Sequence, residues 1–107
     1  MTDSIVLVYC TCPDEATAKR LARLVVEEKL AACVNVITQL TSVYEWEGDI
    51  QEDSEVLLLA KTREGAYPAL EMLLLESHPY ELPEIIAVPV TSGLPGYIDW
   101  VVRSTKE

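Results

Sequence analysis

The chain has 107 residues, the usual size of one domain, and 50% of them are apolar against 24% charged, which excludes a disordered polymer and predicts a self-sufficient core. Its 18 acidic and 8 basic side chains give a formal charge of −10, a field that repels nucleic-acid phosphates and anionic membrane surfaces. The opening Met1-Thr2-Asp3-Ser4 lacks the basic flank of a signal peptide, and no apolar run nears the roughly 20 residues that cross a bilayer, so one cytoplasmic domain over residues 1–107 is expected.

The first strand is predicted over residues 5–9, Ile-Val-Leu-Val-Tyr, apolar on both faces as a central strand would be. Pro13, Asp14 and Glu15 then suit a helix start, and Ala18, Leu21, Ala22 and Val25 recur at helical spacing, which predicts a helix over residues 13–29. Beyond Leu30 the pattern alternates. Ala32, Val34, Val36, Thr38 and Leu40 share one face of a long strand, Cys33, Asn35, Ile37 and Gln39 the other, with a bulge expected near Thr41 and Ser42.

Glu47-Gly48-Asp49 supplies a tight turn, and residues 50–61 return to complete a long hairpin. A second helix is predicted over residues 64–77, with Pro68 in its first turns. Residues 84–90 read as a strand whose Pro89 argues for a sheet edge or a bulge, and Tyr97, Ile98, Trp100 and Val101 as one short amphipathic helix. The order β-α-β-β-α-β with a terminal helix predicts an α+β, ferredoxin-like fold: a four-stranded antiparallel sheet with both long helices on one face. The uncovered face and the polar, aromatic hairpin arm predict a homo-oligomer, most simply a ring of three.

Cys10, Cys12 and Cys33 contain no CxxC pair and read as reduced thiols. Cys10 and Cys12 leave a strand on the same side, where a disulfide between them would be strained. His78 is the only histidine, and catalysis finds no HExxH and no glycine-rich phosphate loop, so no enzyme is expected.

The segments Leu30-Ala31-Ala32-Cys33-Val34-Asn35, Ser42-Val43-Tyr44-Glu45-Trp46-Glu47-Gly48, Lys61-Thr62 and His78-Pro79-Tyr80-Glu81-Leu82-Pro83-Glu84-Ile85, in that order, resemble the CutA family of divalent-cation tolerance proteins. Cys10-Thr11 with Pro13, and Tyr97 with Trp100, also match, so the resemblance covers nearly the whole chain. It implies a stable homotrimer of PII-like architecture associated with copper and other divalent ions; the chain length predicts that none of them is required for folding. The family's copper-associated positions fall on Cys10 and His78, while Ser77 stands where some members carry a second histidine.

Each candidate has a plainer reading beside the functional one. Cys10 offers copper a soft thiolate or is a small buried strand-end residue, and His78 offers an imidazole or bonds a carbonyl at its helix end. Glu81 and Glu84, flanking Pro83, supply oxygen ligands or a solvated loop. Lys61 faces an intersubunit effector or snorkels, and Tyr44 and Trp46, sharing a face of the arm, stack on a ligand or on the next subunit. Cys33 is expected in the core, and Asp49, Glu52, Asp53 and Glu55 on a solvated face. Three readings follow: a homotrimeric metal-ion binding protein, a PII-like adaptor with a small effector or an unidentified protein partner in its intersubunit clefts, or a scaffolding trimer with no ligand, for which every plainer reading holds.

Overall fold

The computed structural model describes residues 4–106. The reading of residues 1–3 as free of a signal peptide lies outside them. In chain order stand β1 (Ile5–Cys12), α1 (Glu15–Glu27), β2 (Cys33–Trp46), β3 (Asp49–Arg63), a short 3-10 turn (Glu64–Ala66), α2 (Tyr67–Ser77), β4 (Ile85–Pro89) and α3 (Pro95–Ser104). The strands form one antiparallel sheet in the order β2-β3-β1-β4, the α+β ferredoxin-like arrangement that the sequence predicts. Pro89 lies in β4, an edge strand, where its missing donor leaves no central ladder bond unmade.

Local chemistry moves some boundaries. Asp14, not Pro13, starts α1, because its carboxylate accepts the Thr17 backbone N–H at 2.7 Å as an N-cap. The second predicted helix divides at Tyr67, where the tighter turn over residues 64–66 hands over to α2 with Pro68 in its first turn. β1 runs on to Cys12, so both early cysteines are strand residues.

The two-residue period of the strands sorts their side chains. Val6, Val8, Cys10 and Cys12 of β1 and Val56, Leu58 and Ala60 of β3 enter a core with Ala18, Leu21 and Val25 of α1 and Leu70 and Leu74 of α2. Thr62 joins the same face fully buried, and its hydroxyl donates to the Leu30 carbonyl at 2.6 Å, tying β3 to the loop after α1. The opposite face, which the sequence predicts to be uncovered, is not wholly open. α3 covers one end of it, with Val101 fully buried and Arg63 Nε donating to Thr105 Oγ1 at 3.1 Å. The remainder is bare, with Ile37, Ile86 and Val88 at 44%, 53% and 38% exposure.

The hairpin turns at Glu47 and Gly48, both at positive φ (51° and 86°), the twist that antiparallel strands accept in a two-residue turn. The register breaks between Ile37 and Leu40, where Gln39 has φ 64°, earlier than the expected bulge at Thr41 and Ser42. Parity therefore flips. Leu40 pairs with Glu55, Tyr44 with Gln51 and Trp46 with Asp49, so Leu40 parts from the core-facing Val34 and Val36 instead of sharing their face. Strands of 14 and 15 residues rise about 3.3 Å per residue, so the hairpin gives the molecule its 48 Å long axis.

Replacing Thr62 by Val should cost about 1–2 kcal/mol, because the buried Leu30 carbonyl loses its donor. Urea unfolding checks this: a lowered midpoint at unchanged slope is expected, and an unchanged midpoint would mean that water replaces the hydroxyl.

Candidate functional site

The chemistry-bearing side chains gather where β1 ends against the C-terminus of α2. Cys10 and Cys12 point into the helix layer and are both fully buried, while His78, the C-cap residue of α2, is 8% exposed. One ligand atom of each of Cys10, Cys12 and His78 lies within 4.8 Å of the other two. The fold thus brings together the two copper-associated positions implied by the family resemblance and adds Cys12 to them. Among the described residues all three cysteines are free thiols.

His78 does not bond a carbonyl of its own helix. Its Nδ1 accepts the Tyr80 backbone N–H at 3.1 Å, so Nε2 carries the proton and donates to the Thr11 carbonyl of β1 at 2.8 Å. The Tyr80 ring leans on the imidazole, centroids 4.8 Å apart. The short loop from His78 to β4 is thereby fastened to the end of β1 at two atoms of one ring.

The thiols polarise each other. Hydrogen bonding to Cys12, and then burial, push the Cys10 thiol far up, while the same bond draws Cys12 below its ordinary value. Cys12 is the member of the pair that carries negative charge more readily.

On the other side of this loop lies a cleft of about 550 Å³, lined by Thr11, Ser42, Val43, Tyr44, Trp46, Glu55, Tyr80, Glu81, Leu82 and Glu84. Tyr44 and Trp46 share this cleft because of the parity change after the bulge. Tyr44 donates to Asp53, and Tyr80 donates to Glu55 at 3.0 Å. Burial, and then this bond, push the Tyr80 hydroxyl well up. Glu55 is only 9% exposed, which corrects its assignment to a solvated acidic face. Glu81 and Glu84 belong to the cleft and not to the cysteine–histidine cluster.

Lys61 stands apart from both. Its ammonium donates to Asn35 Oδ1 and approaches Cys33 Sγ at 3.9 Å across the β2–β3 ladder. Cys33 is correspondingly only partly buried, on the face away from the α1–α2 core, and not in the core where the sequence puts it. Its odd position in the ladder opposite Lys61 is the reason.

A family model described as CutA1 divalent ion tolerance protein matches residues 6–104. The chain belongs to the CutA1 family. It is 52% identical over 103 residues to Protein CutA of Mus musculus, covering 96% of this chain but 58% of the mouse protein. It therefore spans little more than half the length of such mammalian CutA relatives. The divalent-cation tolerance protein CutA of Thermus thermophilus is 46% identical, with 92% of this chain and 96% of that protein aligned. The crystal structure of CutA1 from Oryza sativa superposes with a TM-score of 0.96 at 44% identity, covering 99% of this chain and 97% of that one.

Sequence reasoning passed over Cys12 and the inward members of the cleft, Thr11, Glu55 and Tyr80. For Cys12 the signal was present: two residues from Cys10 on a strand, it had to share a face with it. For Glu55 and Tyr80 only the tertiary contact between the loop and the hairpin decides.

Substituting His78 by Phe removes the donor to Thr11 and the acceptor for Tyr80, and should destabilise the protein by about 2–4 kcal/mol. A loss below about 0.5 kcal/mol in denaturant unfolding would show that the ring does not brace the loop.

Proposed function

We propose that this CutA1-family chain is a non-catalytic protein that binds thiophilic metal ions at Cys10, Cys12 and His78 and serves metal-ion tolerance in the cytoplasm as a homotrimer. The observation that carries the reading is the convergence of two buried thiols and one imidazole, with ligand atoms within 4.8 Å of one another. Such a donor set suits copper or another ion that accepts sulfur and nitrogen, and is wrong for magnesium or calcium, which take oxygen. A bound ion would supply a positive charge joining β1 to the end of α2. The names of the Thermus thermophilus and Escherichia coli relatives, divalent-cation tolerance proteins, point the same way.

Trimer formation is supported by the bare part of the sheet face and by the arm, where Val43, Trp46 and Ile50 are 65%, 53% and 70% exposed. Apolar surface gathered on one face and one arm favours assembly over a monomer in water. Native mass spectrometry should show three chains, and a monomer at micromolar concentration would overturn this part of the reading.

Copper titrated into the wild type, Cys10→Ser and His78→Gln should bind the wild type at one ion per chain and each variant more weakly. Equal affinity for all three would remove the named centre.

The cleft favours a second reading, a PII-like adaptor that takes a small effector or a protein partner between subunits. Tyr44 and Trp46 offer stacking faces there, and Glu55, Glu81 and Glu84 offer carboxylates. A thermal-shift screen of small cations and metabolites should then find a stabiliser whose effect Trp46→Ala abolishes; stabilisation by metals alone would leave the first reading standing by itself.

A further inference from the structure

We infer that the cluster at the end of β1 selects a monovalent, thiophilic ion of low coordination number, the copper(I) class, with Cys10 and Cys12 together as its principal ligands. The inference rests on the metal reading above and narrows it, because it keeps the two sulfurs of one strand as ligands and moves His78 from ligand to positioning residue.

Cys10 and Cys12 are two apart on β1 and leave it on the same face, into the same buried layer. Each is fully buried and neither is in a disulfide. A metal–sulfur bond is about 2.3 Å, so an ion on the line between two sulfurs needs them about 4.6 Å apart, and a trigonal ion about 4 Å. The sulfurs already lie within 4.8 Å of each other, so the strand presents the pair with little rearrangement.

Larger coordination numbers find no support in this layer. Zinc sites close with four ligands or keep water in the fourth position, and hard cations take six or more oxygens. The cluster contains no carboxylate, and its two sulfurs are sealed from solvent among Val8, Val56 and Leu58. A thiol-bound ion content with two or three ligands is the class that fits.

His78 ranks behind the sulfurs because both its ring nitrogens are already engaged, with the Thr11 carbonyl and the Tyr80 N–H. Coordination through either nitrogen breaks one of these bonds. The thiols have less to lose: Cys10 Sγ reaches the Thr11 carbonyl only at 4.0 Å. His78 thus acts on the site as a positioning residue, holding the Thr11 carbonyl that stands between the two cysteines.

On binding, each thiol releases its proton to solvent and a sulfur–copper bond forms in its place. Copper stays in the +1 state throughout and no electron moves. The ion arrives already reduced on a low-molecular-weight thiol, whose sulfur leaves and takes up a proton.

The test is an anaerobic competition between the full chain and a chromogenic copper(I) chelator, run beside a zinc(II) titration. Copper K-edge absorption of the loaded wild type counts sulfur neighbours. The wild type should take one copper(I) per chain with two sulfurs, and zinc should not displace it. Cys10→Ala and Cys12→Ala should each weaken binding more than about 100-fold, and His78→Gln only about 10-fold, the size of an outer-shell effect. Circular dichroism establishes that each variant is folded, and the sulfur count on the wild type decides the matter if a variant is not. A single sulfur neighbour, or wild-type affinity in Cys12→Ala with loss in Cys10→Ala, overturns the dithiolate and leaves the broader metal reading intact. Displacement of copper(I) by equimolar zinc overturns the selectivity, and a wild type that binds neither ion overturns the metal reading itself.

Discussion

β1 lies between β3 and β4, and its two-residue period must satisfy a different environment on each side. Val6, Val8, Cys10 and Cys12 go to the helix layer; Leu7 and Tyr9 go to the other face. The chemistry of the molecule follows from that alternation. A thiol at position 10 and another at position 12 fall on the same buried wall, and the intervening Thr11 turns its side chain to the cleft while its backbone carbonyl stays available to His78. One strand end thereby serves the sulfur centre with its even residues and the cleft with its odd one.

His78 is the hinge between these two neighbourhoods in a strictly structural sense. Through Nε2 it holds β1, through Nδ1 it holds Tyr80, and the Tyr80 hydroxyl in turn holds Glu55 on β3. Burial of Glu55 is tolerable because this hydroxyl satisfies its carboxylate. The position of the acidic wall of the cleft thus depends on a ring whose other contact is with the backbone between the two cysteines.

Periodicity carried most of the architecture, because the apolar spacing of Leu21 and Val25, the edge-confining Pro89 and the turn at Gly48 each have a local cause. What it missed came from events that no local pattern records. Gln39 adopts a left-handed backbone and inserts a residue in β2, after which every parity assignment inverts, so that Leu40 leaves the core face. Cys33 reads as core by type, yet its ladder partner is Lys61, and an ammonium does not enter the helix layer. The family resemblance pointed to Cys10 and His78, and the fold does set them side by side. Cys12 shares the strand face of Cys10 already in the sequence and needed only to be read as a ligand beside it. Glu55 looked like one of a row of solvated acids until the loop carrying Tyr80 closed over it.

The distribution of donors across the molecule has a consistent chemical sense. Apart from the buried Glu55, the cleft carboxylates are outside: the net charge is −10, and Glu81 and Glu84 stand on the rim of the cleft. Sulfur donors are inside, at Cys10 and Cys12. An acidic exterior raises the local concentration of any cation but holds none strongly, since surface attraction is screened within about 8–10 Å at physiological salt. On the metal reading proposed above, the interior would discriminate by softness, because a buried pair of sulfurs gives little to a hard ion that must first shed its water. Attraction without selectivity at the surface and selectivity without exposure in the core are separable properties. In this chain the rim carboxylates and the buried thiols are different residue types, and the strand period keeps them on opposite sides of one loop.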